Sequence, residues 1–430
     1  MKKIMLIVAF CVLSWVSFAQ SSFQPIADQL QVSKASEVGM SEERLTLIDK
    51  TLQEYISKKW THGAVGIVAR KGKIVYHKSF GTSGIGNDQV MKKDDLFRIM
   101  SMTKPITSIA LMMLYEEGKF LLDDPLSKYI PEFKNPTVLK TFNEQDSSYT
   151  TEPAKSEITI RQILSHTAGI AYGFTDAKKW GAIFAKARVP DFASAYPITI
   201  GDRMKILAKL PLVHHPNEAW TYGLNTDVCG YLVEVLSGMT LSDFCEKRIF
   251  QPLGMNETHY FWDETAASRL VNVYVEKEGV VEKETNPNLV KMVEYPIKGA
   301  KKYFSGGSGL TCTAMDYLKF CQFILNGGTY NGKRLLSRKT IELMAKNQIG
   351  DFNVGDSKFG LGFAIGTEKS ATKKLGSVGR LGWGGALSTH FWIDPKEGVI
   401  GVLMMQIFAS THNGEIYDKF ENAVYQAIID

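Results

Sequence analysis

The sequence predicts an α/β (α+β) protein in which sheet-forming segments at the two ends of the chain enclose a long, mainly helical middle. Three observations carry that reading. Ala64-Val65-Gly66-Ile67-Val68-Ala69 and Ile74-Val75-Tyr76 flank Arg70-Lys71-Gly72-Lys73, the pattern of a hairpin. Towards the other end, residues 359–365, 388–393 and 399–406 alternate or run apolar as strands, and Asp394-Pro395-Lys396-Glu397-Gly398 turns between the last two. Between these regions apolar residues recur at three- and four-residue steps, as helices require.

Taken in order, residues 21–40 are polar and irregular, a leader onto the domain. Ser41-Glu42-Glu43-Arg44 then begins an amphipathic helix carrying Leu45, Ile48, Leu52 and Ile56 and ending near Lys59. This helix packs on the first hairpin, which predicts an antiparallel sheet with helical cover. A second helix carries Ile106, Ile109, Ala110, Met113 and Leu114, stops at Gly118-Lys119, and offers few polar faces, the pattern of a helix buried on most sides. Pro105 is tolerable only near its start. Residues 133–157, with Asn, Ser, Thr and Pro throughout, read as a surface excursion, and residues 176–212, with Trp180, Phe184 and Phe192, as a lid or helical subdomain. A loop at 216–227 leads into a helix over 228–236; a glycine-rich turn at 304–310 leads into a helix over 314–325 that Asn326-Gly327-Gly328 ends; residues 416–429 close the chain as an amphipathic helix.

A chain of 430 residues with 44% hydrophobic composition can bury a large core. Met1-Lys2-Lys3, the apolar run 4–16 and Ser17-Phe18-Ala19 have the basic start, short apolar core and small-residue ending of a secretory signal. Residues 1–19 are therefore expected to be cleaved after Ala19 and the protein to be periplasmic or secreted. No later stretch is apolar for long enough to give a stable membrane span. Cys11 follows the bulky Phe10, which argues against lipid attachment. The 50 basic and 45 acidic residues, two of the former in the leader, leave a near-neutral mature chain and argue against nucleic acid as a partner. Cys229, Cys245, Cys312 and Cys321 lack metal-ligand spacing and read as buried free thiols, and the adjacent His214-His215 point in different directions, so neither a metal nor another cofactor is expected.

The chemistry centres on Ser101-Met102-Thr103-Lys104, at the first turn of the buried helix. Residues three apart on a helix lie roughly 4.5 Å apart along the axis and about 60° around it, so the Lys104 amine can reach the Ser101 hydroxyl. At neutral pH only about one free lysine in 2,500 is a base. An amine serves as one only where its surroundings disfavour the ammonium, as a buried helix does. The first-turn NH groups point at the same spot, a natural place to hold an oxyanion. The bland alternative is a capping serine beside a solvated lysine. The second copy, Ser370-Ala371-Thr372-Lys373, has no apolar helix behind it and reads as surface. His166, between Leu164 and Ile170, fits a hydrogen-bonded structural histidine better than a base. Tyr172 either lines a pocket or packs, and Tyr222, at a loop-helix junction, either presents its hydroxyl to a cleft or bonds a nearby carbonyl. Ser305-Gly306-Gly307-Ser308-Gly309-Leu310 matches neither nucleotide fingerprint and reads as close backbone packing.

Together, Ser101-Met102-Thr103-Lys104, Leu164-Ser165-His166-Thr167-Ala168-Gly169, Tyr222 in its Trp-x-Tyr loop, Ser305-Gly306-Gly307-Ser308-Gly309-Leu310 and Trp383-Gly384-Gly385 resemble the serine β-lactamase-like superfamily. The resemblance spans about residues 35–425 and is strongest to the class C side, especially the family VIII carboxylesterases and acyltransferases. It implies a β-lactamase-like fold: an antiparallel sheet flanked by helices (about 35–100 and 300–430) with an inserted all-helical subdomain (about 101–299). It further implies Ser101 as the acylated nucleophile, Lys104 as its base and Tyr222 as the proton shuttle to the leaving group. The NH groups of Ser101 and Ala386 would be the oxyanion donors, and Trp383, Gly384 and Gly385 would line the substrate site. Tyr172 and Asn225 are further candidate substrate-binding residues. Two departures matter. Leu224 stands where β-lactamases have an asparagine, with Asn225 one later, and Trp383 stands where they have a lysine that meets the substrate carboxylate. An indole cannot replace that charge, which tilts the expected substrate towards neutral small esters, although Arg380 is a possible substitute cation. A β-lactamase, a D-alanyl-D-alanine peptidase and an acyltransferase are the alternatives; the oligomeric state is open.

Overall fold

The computed structural model describes residues 23–84, 89–286 and 293–430; the expected signal segment 1–19 and Cys11 lie outside the described residues. Its centre is an eight-stranded sheet in the order Gln31–Val32, Lys73–Gly81, Gly63–Arg70, Val399–Met404, Thr389–Asp394, Leu381–Gly385, Ala364–Ile365, Lys358–Phe359. Every pairing is antiparallel except that of the Gln31–Val32 edge. The two ends of the chain meet in mid-sheet, where Val399–Met404 pairs with Gly63–Arg70.

Both faces of this sheet are covered, which explains why the Gly63–Arg70 strand reads as an unbroken apolar run and is buried throughout. Side chains alternate along it. Val65, Ile67 and Ala69 join the core that includes Ile106, Ile109 and Leu318, whereas Ala64 and Val68 join a second core with Leu45, Ile48, Leu52, Trp392, Phe420 and Val424. The second core lies beneath the Glu42–Ser57 and Asn413–Tyr425 helices. Ser41 caps the first of these by accepting from the Arg44 amide at 3.2 Å, and Tyr55 rather than Ile56 completes its buried face. On the opposite side, every residue from Thr103 to Leu114 of the Thr103–Glu116 helix is buried. Each fully buried Ile, Leu or Met contributes ~1.5–3 kcal/mol relative to exposure, so this helix is a rigid mount for whatever its first turn carries.

The middle of the chain is helical at Ile160–Ser165, Ala182–Ala187, Ile200–Leu207 and Asn225–Ser237. It also holds two hairpins that hydrophobic patterning did not reveal. Thr137–Phe142 pairs with Tyr149–Pro153, so the expected irregular excursion is ordered. Cross-strand hydroxyls of Thr141 and Thr150 lie 2.6 Å apart, and Asn143 and Asp146 close the turn by accepting from backbone amides two residues on. Tyr274–Lys277 pairs with Val280–Lys283 across a turn at Gly279. The Ala314–Leu325 helix has the expected bounds, and Cys229, Cys245, Cys312 and Cys321 are buried free thiols. No single helix among the described residues is long and apolar enough to cross a membrane.

The closing helix is tied to the sheet by charge as well as by packing. The Glu421 carboxylate, 3% exposed, accepts from Arg380 Nη1 and His390 Nε2, both at 2.7 Å. Burial alone pushes this carboxyl up, but the His390 hydrogen bond and the His390 and Arg380 charges outweigh it and hold its pKa at about 2. A depressed carboxyl pKa stabilises the fold fully above the unfolded value of about 4.3, and that stabilisation is lost as pH falls through the folded value. Glu421→Gln is therefore expected to cost about 3–5 kcal/mol near neutral pH, because it leaves Arg380 buried without its partner. Urea unfolding from pH 6 down towards pH 2 should show the gap between variant and wild type narrowing; a gap that stays constant would contradict the ion-pair account.

Candidate active site

Met100–Met102 forms a single 3₁₀ turn that runs directly into the Thr103–Glu116 helix. Met100 has φ 46°, a left-handed conformation that costs a non-glycine residue energy and persists only where packing over-determines it. Packing against Val273, Val293 and Leu387 holds it there. The turn leaves Ser101 half-buried at the edge of the core while Met102 and Thr103 are buried. Lys104, one turn on, is 1% exposed. Its Nζ donates to Ser101 Oγ at 3.2 Å, to the Tyr172 hydroxyl at 2.9 Å and to the Gly307 carbonyl at 2.9 Å. Three acceptors match the three protons of an ammonium.

Tyr222 arrives from the loop before the Asn225–Ser237 helix and donates its hydroxyl to Ser101 Oγ at 2.6 Å. The serine oxygen thus lies between an amine and a phenol. Lys104 Nζ also sits 4.7 Å from the Tyr222 ring centroid and 5.3 Å from that of Tyr172. Trp383 projects from the Leu381–Gly385 strand towards the same point; its indole Nε1 is 3.4 Å from the Tyr222 oxygen, and its ring packs on Tyr222 and Phe359. Gly384 and Gly385 continue the strand past the serine. A Cβ on Gly385 would collide with the Ile99 carbonyl and with Thr389 Oγ1, so the absence of a side chain lets the strand end approach the Ser101 turn. Ala386 follows, exposed. Among the described residues, no backbone carbonyl accepts from the NH of Ser101 or of Ala386.

Tyr172 both packs and reaches the site. Burial raises its phenol well above the ordinary value, with the charges of Tyr222 and Asp227 adding to this, so it stays protonated while accepting from Lys104. Asn225 does not face the cleft. It is fully buried in the first turn of its helix, and its amide donates to His166 Nδ1 at 3.0 Å and to the Ile170 carbonyl at 3.2 Å. Placed three residues after Tyr222, it points back into the loop packing, which corrects its assignment as a substrate-binding residue. His166 is the structural histidine expected: burial and then the Lys104 charge push its pKa well below the ordinary value, and its unprotonated Nδ1 accepts from Asn225. Arg380 is no substitute cation for the site, being turned to Glu421 on the other face of the sheet. Thr367 caps a short surface helix in which Ser370 returns the bond by accepting from the Thr367 NH, and Lys373 pairs with Asp356.

Sequence reasoning treated the glycine-rich turn as packing alone, yet it supplies the Gly307 carbonyl to Lys104. Behind it Ser305 Oγ donates to Asp227 Oδ1 at 2.7 Å. Asp227 is buried and its carboxyl is raised by burial to about 6, with the Ser305 hydrogen bond and the Lys104 charge opposing the rise. A Cβ on Gly307 would meet that carboxylate, the Tyr172 hydroxyl and the Lys104 amine together, so only glycine fits there. The glycine spacing was the available signal; its direction was not in the sequence.

A half-buried hydroxyl held between two proton-carrying groups, beside backbone NH groups that no backbone carbonyl engages, has the parts of a nucleophilic acyl-transfer site. Comparison with known proteins agrees. The beta-lactamase family profile matches residues 48–425. Protein Rv1367c of Mycobacterium tuberculosis is 32% identical over 361 residues, covering 80% of this chain and 85% of its own. Esterase EstB of Burkholderia gladioli is 27% identical over 403 residues, covering 88% of this chain and 94% of its own. The solved structure of EstCE1, described as a hydrolase with promiscuous acyltransferase activity, matches with a TM-score of 0.75 at 23% identity over 89% of this chain and 99% of its own, a likeness of fold. With that span matched, the chain belongs to the beta-lactamase family of serine hydrolases and acyltransferases, and esterases are among its relatives.

Proposed function

We propose that the chain is an exported serine esterase that acts on neutral small esters through an acyl-enzyme. The observation that carries the reading is the contact of Ser101 Oγ with both the Tyr222 hydroxyl at 2.6 Å and Lys104 Nζ at 3.2 Å. With Lys104 as the neutral amine, Ser101 Oγ bonds to the ester carbonyl carbon while its proton passes to the Lys104 nitrogen, which becomes the ammonium. The carbonyl electrons move onto oxygen, facing the NH groups of Ser101 and Ala386. As the bond to the alcohol breaks, Tyr222 gives the leaving oxygen a proton and is reprotonated from Lys104. Water then attacks the acyl-enzyme by the reverse route, and an alcohol in its place would make the step a transfer.

Loss of the nucleophile is expected to be the largest single effect. Ser101→Ala should reduce ester hydrolysis on the order of a millionfold, as loss of a catalytic serine does elsewhere. A fluorophosphonate should add one adduct, mapped to Ser101, and an adduct at Ser308 or Ser370 would overturn the assignment. The same intact-mass measurement on exported protein should find Gln20 at the N-terminus.

Lys104→Arg should be nearly as damaging as Lys104→Met, because a guanidinium stays protonated. Tyr222→Phe should likewise cripple turnover at an unchanged melting temperature. Near-wild-type rates in either Lys104→Arg or Tyr222→Phe would remove the residue from the proton path.

Substrate choice follows from Trp383. A cation facing a substrate carboxylate contributes roughly 1.5–3 kcal/mol, about ten- to more than a hundredfold in affinity. Trp383 forgoes this for an apolar face, and the pairing of Arg380 with Glu421 supports the view that no nearby arginine makes up for it. The ratio of kcat/KM for p-nitrophenyl butyrate over nitrocefin should strongly favour the ester, and Trp383→Lys should shift it towards nitrocefin. A wild-type preference for nitrocefin would make the protein a β-lactamase instead.

A further inference from the structure

Beyond the catalytic residues, the aromatic rings that lead out of the cleft are ordered more strictly than burial requires. Tyr172, bonded to the Lys104 amine, is 2% exposed, but Phe174 beyond it is 50% exposed. The Tyr172 and Phe174 rings lie 4.8 Å apart with 20° between their planes, and Phe174 and Phe192 lie 5.4 Å apart and within 2° of parallel. Tyr172 and Phe192 are also 20° apart. Tyr172 and Phe192 lie 6.3 Å apart, so the three rings, from two loops, form a compact near-parallel triad with Tyr172 at the amine and Phe174 at the surface.

One exposed phenylalanine is unremarkable on a protein surface. Here, however, the two loops are fastened so as to keep the rings aligned. The Asp191 carboxylate accepts from the backbone NH of Gly173 at 2.5 Å and of Phe174 at 3.0 Å, and Asp191 directly precedes Phe192. A Cβ on Gly173 would run into that carboxylate. On its far side Phe192 packs against the cluster of Met100 and Leu387, the residues that adjoin Ser101 and Ala386. The triad therefore reaches the amine through Tyr172 and, through Phe192, packs on the sequence neighbours of Ser101 and Ala386. Parallel, offset rings present a face on which another flat apolar ring gains favourable contact.

We propose that Phe174 and Phe192, aligned by Asp191, form a subsite for a planar aryl group of the ester substrate. This rests on the esterase reading and narrows it: the preferred esters carry an aromatic ring on the acyl or the alcohol side. Asp191 is a positioning residue; the two phenylalanines touch the substrate.

The test uses the whole protein and two ester pairs followed by pH-stat. Ethyl phenylacetate against ethyl butyrate places the ring on the acyl side; benzyl acetate against butyl acetate places it on the alcohol side. Wild type should favour the aryl member of at least one pair, and Phe174→Ala and Phe192→Ala should each lower that aryl-over-alkyl ratio of kcat/KM about three- to tenfold. The pair that moves assigns the side. Asp191→Ala should lower the same ratio, and Asp191→Asn, which keeps one acceptor oxygen, should restore part of it. Ratios unchanged in the phenylalanine variants, or a wild type that prefers the alkyl member of both pairs, would overturn the subsite. Ligand-observed NMR of benzyl acetate with Ser101→Ala protein separates this from the esterase reading. Weaker binding when Phe174→Ala is added supports the subsite even if wild type hydrolyses none of the esters, in which case the hydrolysis alone is refuted; equal binding in both proteins refutes the subsite.

Discussion

Lys104 brings its amine to a point almost closed to solvent, where Ser101 Oγ, the Tyr172 hydroxyl and the Gly307 carbonyl lie 2.9–3.2 Å away. As an ammonium it donates to all three. As a neutral amine it has two protons and a lone pair, so one neighbour must reverse roles, and of the three a carbonyl has no proton to give. Burial keeps the Tyr172 phenol protonated, so Tyr172 and Ser101 can each turn a hydroxyl towards the nitrogen, and of the two it is Ser101 that also accepts from Tyr222. The loss of one proton from this buried lysine therefore turns one of two hydroxyls from acceptor to donor, and the serine is one of them. Tyr222, at 2.6 Å from the same oxygen, completes the exchange.

That constraint makes demands on segments far apart in the chain. The Thr103–Glu116 helix must be buried enough to hold its first turn still, and it is buried through Leu114. The Ser305–Leu310 turn must come close enough for a carbonyl to reach the amine, which excludes a side chain at Gly307. The Leu381–Gly385 strand must come close to the Ser101 turn, and the missing side chain at Gly385 allows this. None of these pieces has a site of its own. They form one only because the sheet, pairing the start of the chain with its end, fixes their spacing.

Much of this was legible in the sequence where a short-range rule applied. The three-residue step from Ser101 to Lys104 defined their contact, apolar spacing gave the helix that mounts them, and the glycine-rich turn announced close packing. Trp383 came from likeness to a family and not from any local rule. Long-range direction was harder to read. Asn225 was a candidate because it falls one residue after the place where the resembled family has an asparagine, but that one-residue offset puts it in the first turn of the helix, where it is buried. Arg380 and Trp383 are three apart next to and on one strand, and an odd step places side chains on opposite faces; that parity was readable. The hairpin within residues 133–157 was hidden because its strands are held by a Thr141–Thr150 pair and turn-capping polar groups, without a clear apolar alternation. Phe174 went unnoticed because its alignment depends on a carboxylate seventeen residues away.

The ion pair beneath the sheet gives the C-terminal helix a part in the reaction it never touches. Glu421 grips Arg380, just ahead of the strand that carries Trp383, and His390 on the strand alongside it. That strand ends where Gly385 presses against the Ser101 turn, so slack at the tail of the chain would be transmitted to the wall of the cleft. The closing helix is thus a buttress: a fusion partner, tag or truncation that loosens it would also loosen the strand that carries Trp383, and attempts to retune specificity at Trp383 have to leave its anchorage intact.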